Sequence, residues 1–160
     1  MIQRDWEISW SDTLSMDVPE IDEEHRQFVA RVNDLNGAIV EGADKPTIER
    51  LLDLMLMEAV HHFWHEQQLL AKWHYPDREA HAAKHTHLIA QIERVMKEFA
   101  QADVSFAWAL KGLSIKQMLV DHLLQEDMKY REFLRHKSDV NRSPDRSEMG
   151  NCRGPVSDGK

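Results

Sequence analysis

Apolar residues recur along most of this chain at steps of three and four, the spacing of one face of an α-helix. Ile21, His25, Phe28, Val32, Leu35 and Ile39 make the first stripe. Pro19 stands at a favoured first helical position and Gly42 breaks the pattern, which predicts a helix over about 19–40. Pro46 and Thr47 open a second stripe, Leu51, Met55, Glu58 or Ala59, His62, Glu66, Leu69 and Trp73. Tyr75-Pro76 closes it, because a residue before proline is pushed out of the α region, so the second helix is expected over about 46–74. Asp77 suits an N-cap, and His81, His85, Leu88, Ile92, Val95 and Phe99 predict a third helix over about 77–101. After a short connector, Phe106, Ala109, Leu110, Leu113, Ile115, Leu119, His122 and Phe133 belong to a fourth, about 106–136, with Gly112 and Ser114 weakening its start. Ahead of the first helix, Trp6, Ile8 and Trp10 alternate with polar residues, the period of an extended arm lying on the domain.

Short connections between amphipathic helices imply antiparallel neighbours. The expected fold is all-α: an up-down-up-down four-helix bundle with an extended N-terminal arm, filling residues 1–137. Residues 138–160 carry only Val140, Met149 and Val156 as scattered apolar positions among Ser, Asp, Asn, Arg, Gly and Pro. No periodic face appears there, and a disordered polar tail is expected.

Composition narrows the function classes. A length of 160 residues suits one domain. With 28 Asp and Glu against 20 Lys and Arg the formal charge is −8. That balance argues against nucleic-acid partners, which require a basic face, and against anionic membrane surfaces. No stretch is apolar for the roughly 20 residues of a membrane span, and the N-terminus shows no secretory pattern, so a cytoplasmic location without membrane insertion is expected. Cys152 is the single cysteine, which rules out an internal disulfide. The unusual count is ten histidines.

Five of those histidines, His25, His62, His81, His85 and His122, fall on the apolar stripes, and each helix contributes at least one. Buried imidazoles need hydrogen-bond partners or a metal, since an unpaired buried polar group costs roughly 1–3 kcal/mol. Glu66 stands four residues after His62, on the same helical face. His81 and His85 share that spacing and can chelate one ion. Asp127 is five residues after His122, about 140° away on an ideal helix, and reaches the same place only if the helix is distorted, as by a π-type turn. Five imidazoles and two carboxylates exceed the four ligands of a tetrahedral zinc and, without thiolate, suit two octahedral iron-like ions. The remaining histidines, His61, His65, His74, His87 and His136, read as solvated surface. So do the acids Asp22-Glu23-Glu24, which favour a helix N-terminus.

Taken in order, these motifs resemble the bacterial hemerythrins, non-haem di-iron O2-binding four-helix bundles. The resemblance covers about residues 6–136. It rests on the Trp-containing arm before Ile21-Asp22-Glu23-Glu24-His25, on His62-Phe63-Trp64-His65-Glu66 as the family's H-F-x-x-E, on Tyr75-Pro76 before His81-x-x-x-His85, and on His122-x-x-x-x-Asp127. Two departures stand out. Gln67 replaces the second acid of the family's frequent H-F-x-x-E-E, and Ser15-Met16-Asp17-Val18-Pro19 lacks an expected glycine.

The resemblance implies that His81, His85 and His122 ligate one iron, that His25 and His62 ligate the other, and that Glu66 and Asp127 bridge the two beside an oxo or hydroxo bridge. One iron is then six-coordinate and the other five-coordinate, which implies reversible O2 binding for carriage, storage or delivery, with no enzymatic turnover and no protein acid or base. Leu119, one turn before His122, is the first candidate to line an O2 pocket; Phe28, Phe63, Leu69, Met118 and Leu123 are further candidates. An unidentified protein client for O2 delivery is a possible partner. The alternatives are a sensor of O2, nitric oxide or redox state, and a ferritin-like oxidase or ferroxidase. The ferritin-like class needs Glu-x-x-His on two helices, and only Glu58-Ala59-Val60-His61 supplies such a step. A zinc-protease reading of His65-Glu66 fails because Leu69 stands where a second histidine is required.

Overall fold

The computed structural model describes residues 7–101 and 107–142, with side chains described for 7–101 and 114–137. Trp6 and Phe106 lie outside the described residues, as do the connector 102–105 and the segment 143–160 that holds Cys152. The side chains of Ala109, Leu110, Gly112 and Leu113 lie outside them too.

A short 3-10 turn, Asp12–Leu14, precedes α1, Pro19–Val40; α2 is Lys45–Lys72 and α3 is Arg78–Gln101. The fourth long helix comes in three parts: α4, Ala107–His122, a π turn, Leu123–Asp127, and α5, Met128–Arg142. The last helix therefore runs past the expected end at 136, and residues 138–142 are helical where a disordered tail was expected to begin. No strand is present among the described residues, and none of their helices is long and apolar enough to cross a membrane. α1 packs against α2 and α4, and α3 against α2 and α4, which is the square arrangement of an antiparallel four-helix bundle.

Local chemistry explains most boundaries. α1 begins with Pro19 as its first residue, and its N-cap, Val18, has no capping side chain. Asp22, inside the first turn, instead holds the approach to the helix: its carboxylate takes hydrogen bonds from the Met16 N–H and the Ser15 hydroxyl, both at 2.6 Å. It is buried, not solvated as its place in an acidic run suggests. Gly42 ends α1 with φ 73°, and the Ala43 N–H closes back on the Ala38 carbonyl at 2.9 Å. The Asp44 carboxylate caps α2 by accepting from the Thr47 N–H. α2 stops at Lys72, short of the expected 74, because His74 takes the left-handed conformation at φ 56° and the Tyr75 N–H bonds the Leu70 carbonyl. A C-terminal turn of glycine type is thus built on a histidine.

The arm before α1 lies on the bundle. Ile8 exchanges two backbone hydrogen bonds with the Asn33 side chain, at 2.8 and 2.9 Å, and is buried. The Trp10 ring packs under the Arg26 guanidinium at 4.8 Å. Two apolar clusters fill the interior. One gathers Phe28, Val32, Met55, Phe63, Ile92 and Leu119; the other gathers Met16, Ile21, Leu70, Tyr75, Leu123 and Tyr130.

Candidate metal centre

Polar side chains are concentrated in this apolar interior. His25, His62, Glu66, His81, His85, His122 and Asp127 are all buried, none more than 7% exposed. Every helix contributes, as the stripes require. His25 comes from α1, His62 and Glu66 from α2, His81 and His85 from α3, and His122 from the end of α4. Asp127 is delivered by the π turn. An added residue in that turn rotates Asp127 back toward His122, and His122 Nε2 lies 3.1 Å from Asp127 Oδ1.

Two sets of ligand atoms result, each within 4.8 Å of one another: Glu66, His81, His85, His122 and Asp127, and His25, His62 and Glu66. The carboxylates sit between the sets. Asp127 Oδ1 faces His81 and His122 at 3.4 and 3.1 Å, and its Oδ2 faces His25 at 3.6 Å. Glu66 Oε2 stands 3.2 Å from His81 Nε2 and 3.0 Å from His85 Nε2. The five imidazoles all turn Nε2 inward, and those of His25 and His62 are 3.0 Å apart.

These groups do not satisfy one another. Glu66 Oε1, His85 Nε2, His122 Nε2 and Asp127 Oδ1 are buried without a hydrogen-bond partner. Buried polar atoms are ordinarily paired, because leaving one unmade costs about 1–3 kcal/mol. His81 Nε2 and Glu66 Oε2 do pair, at 3.2 Å, but the approaches of His85 to Glu66 and of His122 to Asp127 lack the alignment of hydrogen bonds, as lone pairs do when they converge on a point between them. The donor set contains imidazole nitrogen and carboxylate oxygen with no thiolate, which suits iron. The residues present therefore fit a two-ion centre.

Electrostatics agree with ligand chemistry. Burial lowers His25 to about 3, helped by neighbouring His62. Burial lowers His85 and His122 to about 4 each. These rings are neutral at pH 7, the form that binds metal. Burial also disfavours the charged forms of His62 and His81. The hydrogen bond to Glu24 and the charges of Glu66 and Asp127 together outweigh it for His62, and the hydrogen bond to Glu66 with the same two charges outweighs it for His81, so both are raised. Burial acts to raise Glu66, but the His81 and His85 rings beside it hold it well below the usual range. Burial and the Glu66 charge push Asp127 well above it. Two carboxylates this close and this dry cannot both ionise cheaply without a cation between them.

A surrounding shell orients the rings. Glu24 accepts from His62 Nδ1 at 2.8 Å through one oxygen and from His65 Nδ1 at 2.6 Å through the other. Such a bond at Nδ1 frees Nε2 for a metal. Neither Glu24 nor His65 is the solvated surface residue the sequence suggests; Glu24 is 19% exposed and His65 30%. Both sit on the α1–α2 seam, and an acid one position before a core histidine was a usable signal. His61, His74, His87 and His136 are exposed. The Gln67 amide reaches His85 Nδ1 at 3.4 Å, which gives the residue that departs from the family pattern a place behind the site. The Phe63 ring stacks on His85, centroids 3.9 Å apart and 10° from parallel.

Beside His25 and His62 lies a cavity of about 10 Å3, lined by Phe28, Phe63, Leu119 and Leu123 with His122 and Asp127. That is room for about one water-sized guest. Leu69 and Met118 are not among its lining residues.

Comparison with known proteins places this geometry. The family model described as the hemerythrin HHE cation binding domain matches residues 16–134. The chain belongs to the hemerythrin family. A hemerythrin-like protein of Naegleria gruberi is 28% identical over 79% of this chain and 92% of its own length. A bacteriohemerythrin of Pseudomonas aeruginosa (strain LESB58) is 27% identical over 79% of this chain and 81% of its own. A solved structure titled as wild-type hemerythrin superposes with a TM-score of 0.70 at 25% identity, covering 78% of this chain and 95% of that one.

Proposed function

We propose that this hemerythrin-family protein binds O2 reversibly at a di-iron centre, with His81, His85 and His122 holding one iron, His25 and His62 the other, and Glu66 and Asp127 bridging them. Bound there, two iron ions supply two electrons and one open coordination position for a small ligand. With three imidazoles to hold one ion and two, His25 and His62, to hold the other, the ion beside His25 and His62 would have the fewer protein ligands and the room for a small guest.

The observation that carries the reading is the cavity beside those two histidines. Apart from the side chains assigned to the metal, its walls are Phe28, Phe63, Leu119 and Leu123. None of these four can give or take a proton. An oxidase must deliver protons to reduced oxygen; a reversible binder must keep water and protons away. Leu119, 4% exposed, lines the cavity together with His122. Glu24 fixes the tautomer and direction of His62, and Phe63 fixes the plane of His85. The protein's contribution is orientation and dryness rather than acid–base chemistry.

His62→Ala tests the assignment. The variant is expected to hold about one iron per chain and to lose O2 binding, while remaining helical. Two irons and unchanged O2 uptake would overturn it.

A further inference from the structure

Beyond the metal centre, the outer face of α2 is unusual for so charged a chain. Between Asp53 and Lys72 its exposed positions are Met57, Val60, His61, Trp64, Gln68 and Ala71. None is Lys, Arg, Asp or Glu, although 30% of the chain is. Met57 is 67% exposed, Trp64 61% and Val60 46%. Three large apolar side chains at i, i+3 and i+7 form a continuous stripe on the outside of a helix, where a bundle normally presents charge. Beside it, between α1 and α2, runs a groove of about 290 Å3 whose walls include Leu54, Met57 and His61 with the acids Glu24 and Glu58.

We propose that this face is a homodimer surface, on which a second copy of the chain docks antiparallel through its own α2. Charge selects the occupant. A chain of net charge −8 repels itself over most of its surface, and this stretch, whose one half-buried acid, Glu58, is already paired with Arg31 at 2.8 Å, lets two copies meet without opposing unpaired like charges. Its ends carry opposite signs, Asp53 toward the N-terminus and Lys72 toward the C-terminus. A two-fold axis near the middle of the face brings each Asp53 toward the Lys72 of the other copy, so the pair occurs twice. The same operation sets each Trp64 opposite His61 of the second copy, one turn from its Met57 and beside the groove. That isologous, self-complementary pattern is what a two-fold interface requires. Trp against Met is a favourable contact, and Trp is a preferred anchor of such interfaces.

Size sets the strength. From Asp53 to Lys72 the helix spans about 29 Å, and a width of about 10 Å gives roughly 300 Å2 per copy. A standard stable interface takes roughly 800 Å2 per partner. The dimer is therefore weak and reversible, populated at high protein concentration.

Sedimentation velocity on the full chain, from about 10 µM to about 1 mM, tests this. The mass is expected to rise from that of the 18.7 kDa monomer toward twice that value. Trp64→Glu, on an exposed site that leaves the fold intact, should weaken association at least about tenfold. Asp53→Lys and Lys72→Asp should each weaken it about fivefold, and the double variant should return within about twofold of wild type. A monomer at every concentration would overturn the proposal and leave the face to a partner of other chemistry. Unimpaired association of Trp64→Glu would overturn it too, as would failure of the double variant to recover.

Discussion

His122 Nε2 lies 3.1 Å from Asp127 Oδ1, although five residues separate them along one helix. A regular α-helix would turn the carboxylate about 140° away. The π turn over Leu123–Asp127 absorbs the extra residue and aims Asp127 inward. Inserting one alanine after exposed Gln125 lengthens the step to six residues, which the turn does not absorb, and rotates everything after it by about 100°. Tyr130, fully buried, and Phe133 would then leave their places against Tyr75. The insertion is expected to cost several kcal/mol, about 3 or more, and to hold less than one iron per chain. Thermal unfolding and metal analysis check both; wild-type iron content with unchanged melting would refute the account of the turn.

Glu24 ties His62 and His65 into one unit, with one carboxylate oxygen on each ring. Glu24→Gln keeps the shape and removes the charge that makes His62 a better ligand. Loss of a partner behind a ligating histidine typically lowers metal affinity about 10–100-fold, and a value near tenfold is expected because the amide still accepts one bond. Competition against a chelator measures it. The wild-type metal affinity in this variant would show that Glu24 holds only surface structure.

The metal-free protein should lose stability in acid. Folded His85 and His122 take up protons near 4 and His25 near 3, against 6.5 when unfolded. Protons therefore bind the unfolded chain first. Stability present above about pH 6.5 is lost as the pH falls toward about 4. His62 and His81 are raised and act in the opposite sense; their contribution is present below 6.5 and lost as pH rises through their folded pKa. Asp127, raised by burial and the Glu66 charge, also protonates first in the folded chain and opposes the loss; the three large histidine depressions outweigh these three raised groups. The urea midpoint should fall between about pH 7 and about pH 4.5; a constant or rising midpoint would contradict this.

Asp17 carries a left-handed backbone, φ 60°, where the family resemblance leads one to expect glycine nearby. Arg131 and Arg135 compensate, gripping its carboxylate at 2.9 and 2.8 Å and tying the approach to α1 onto α5. Both ion pairs lower its pKa, Arg131 most. Asp17→Ala keeps the strain and loses both pairs, for an expected cost of about 1–2 kcal/mol. Asp17→Gly relieves the strain and should be about 1 kcal/mol less damaging. Denaturant unfolding of the two variants gives the comparison; a glycine variant less stable than the alanine one would refute the strain argument.

The bundle was legible because apolar side chains fall at helical spacing, and the site because polar residues interrupt those same stripes. The awkward step from His122 to Asp127 even announced a distortion. Asp22, Glu24 and His65 escaped for one physical reason. A charged or imidazole side chain off the stripe reads as solvated until the neighbouring helix that buries it is known. His74 and Asp17 escaped because left-handed turns are expected at glycine, and here other contacts hold them. The end of the last helix escaped because residues 138–142 show no apolar period, although backbone hydrogen bonding continues through them.

The most direct measurement is an O2 titration of the iron-loaded protein, reduced and kept anaerobic, with uptake and visible absorption followed together. The expected result is one O2 taken up per pair of irons, with an absorption band that appears on oxygenation and disappears when O2 is removed, over repeated cycles. Continuous O2 consumption with no reversible band would contradict the proposed function.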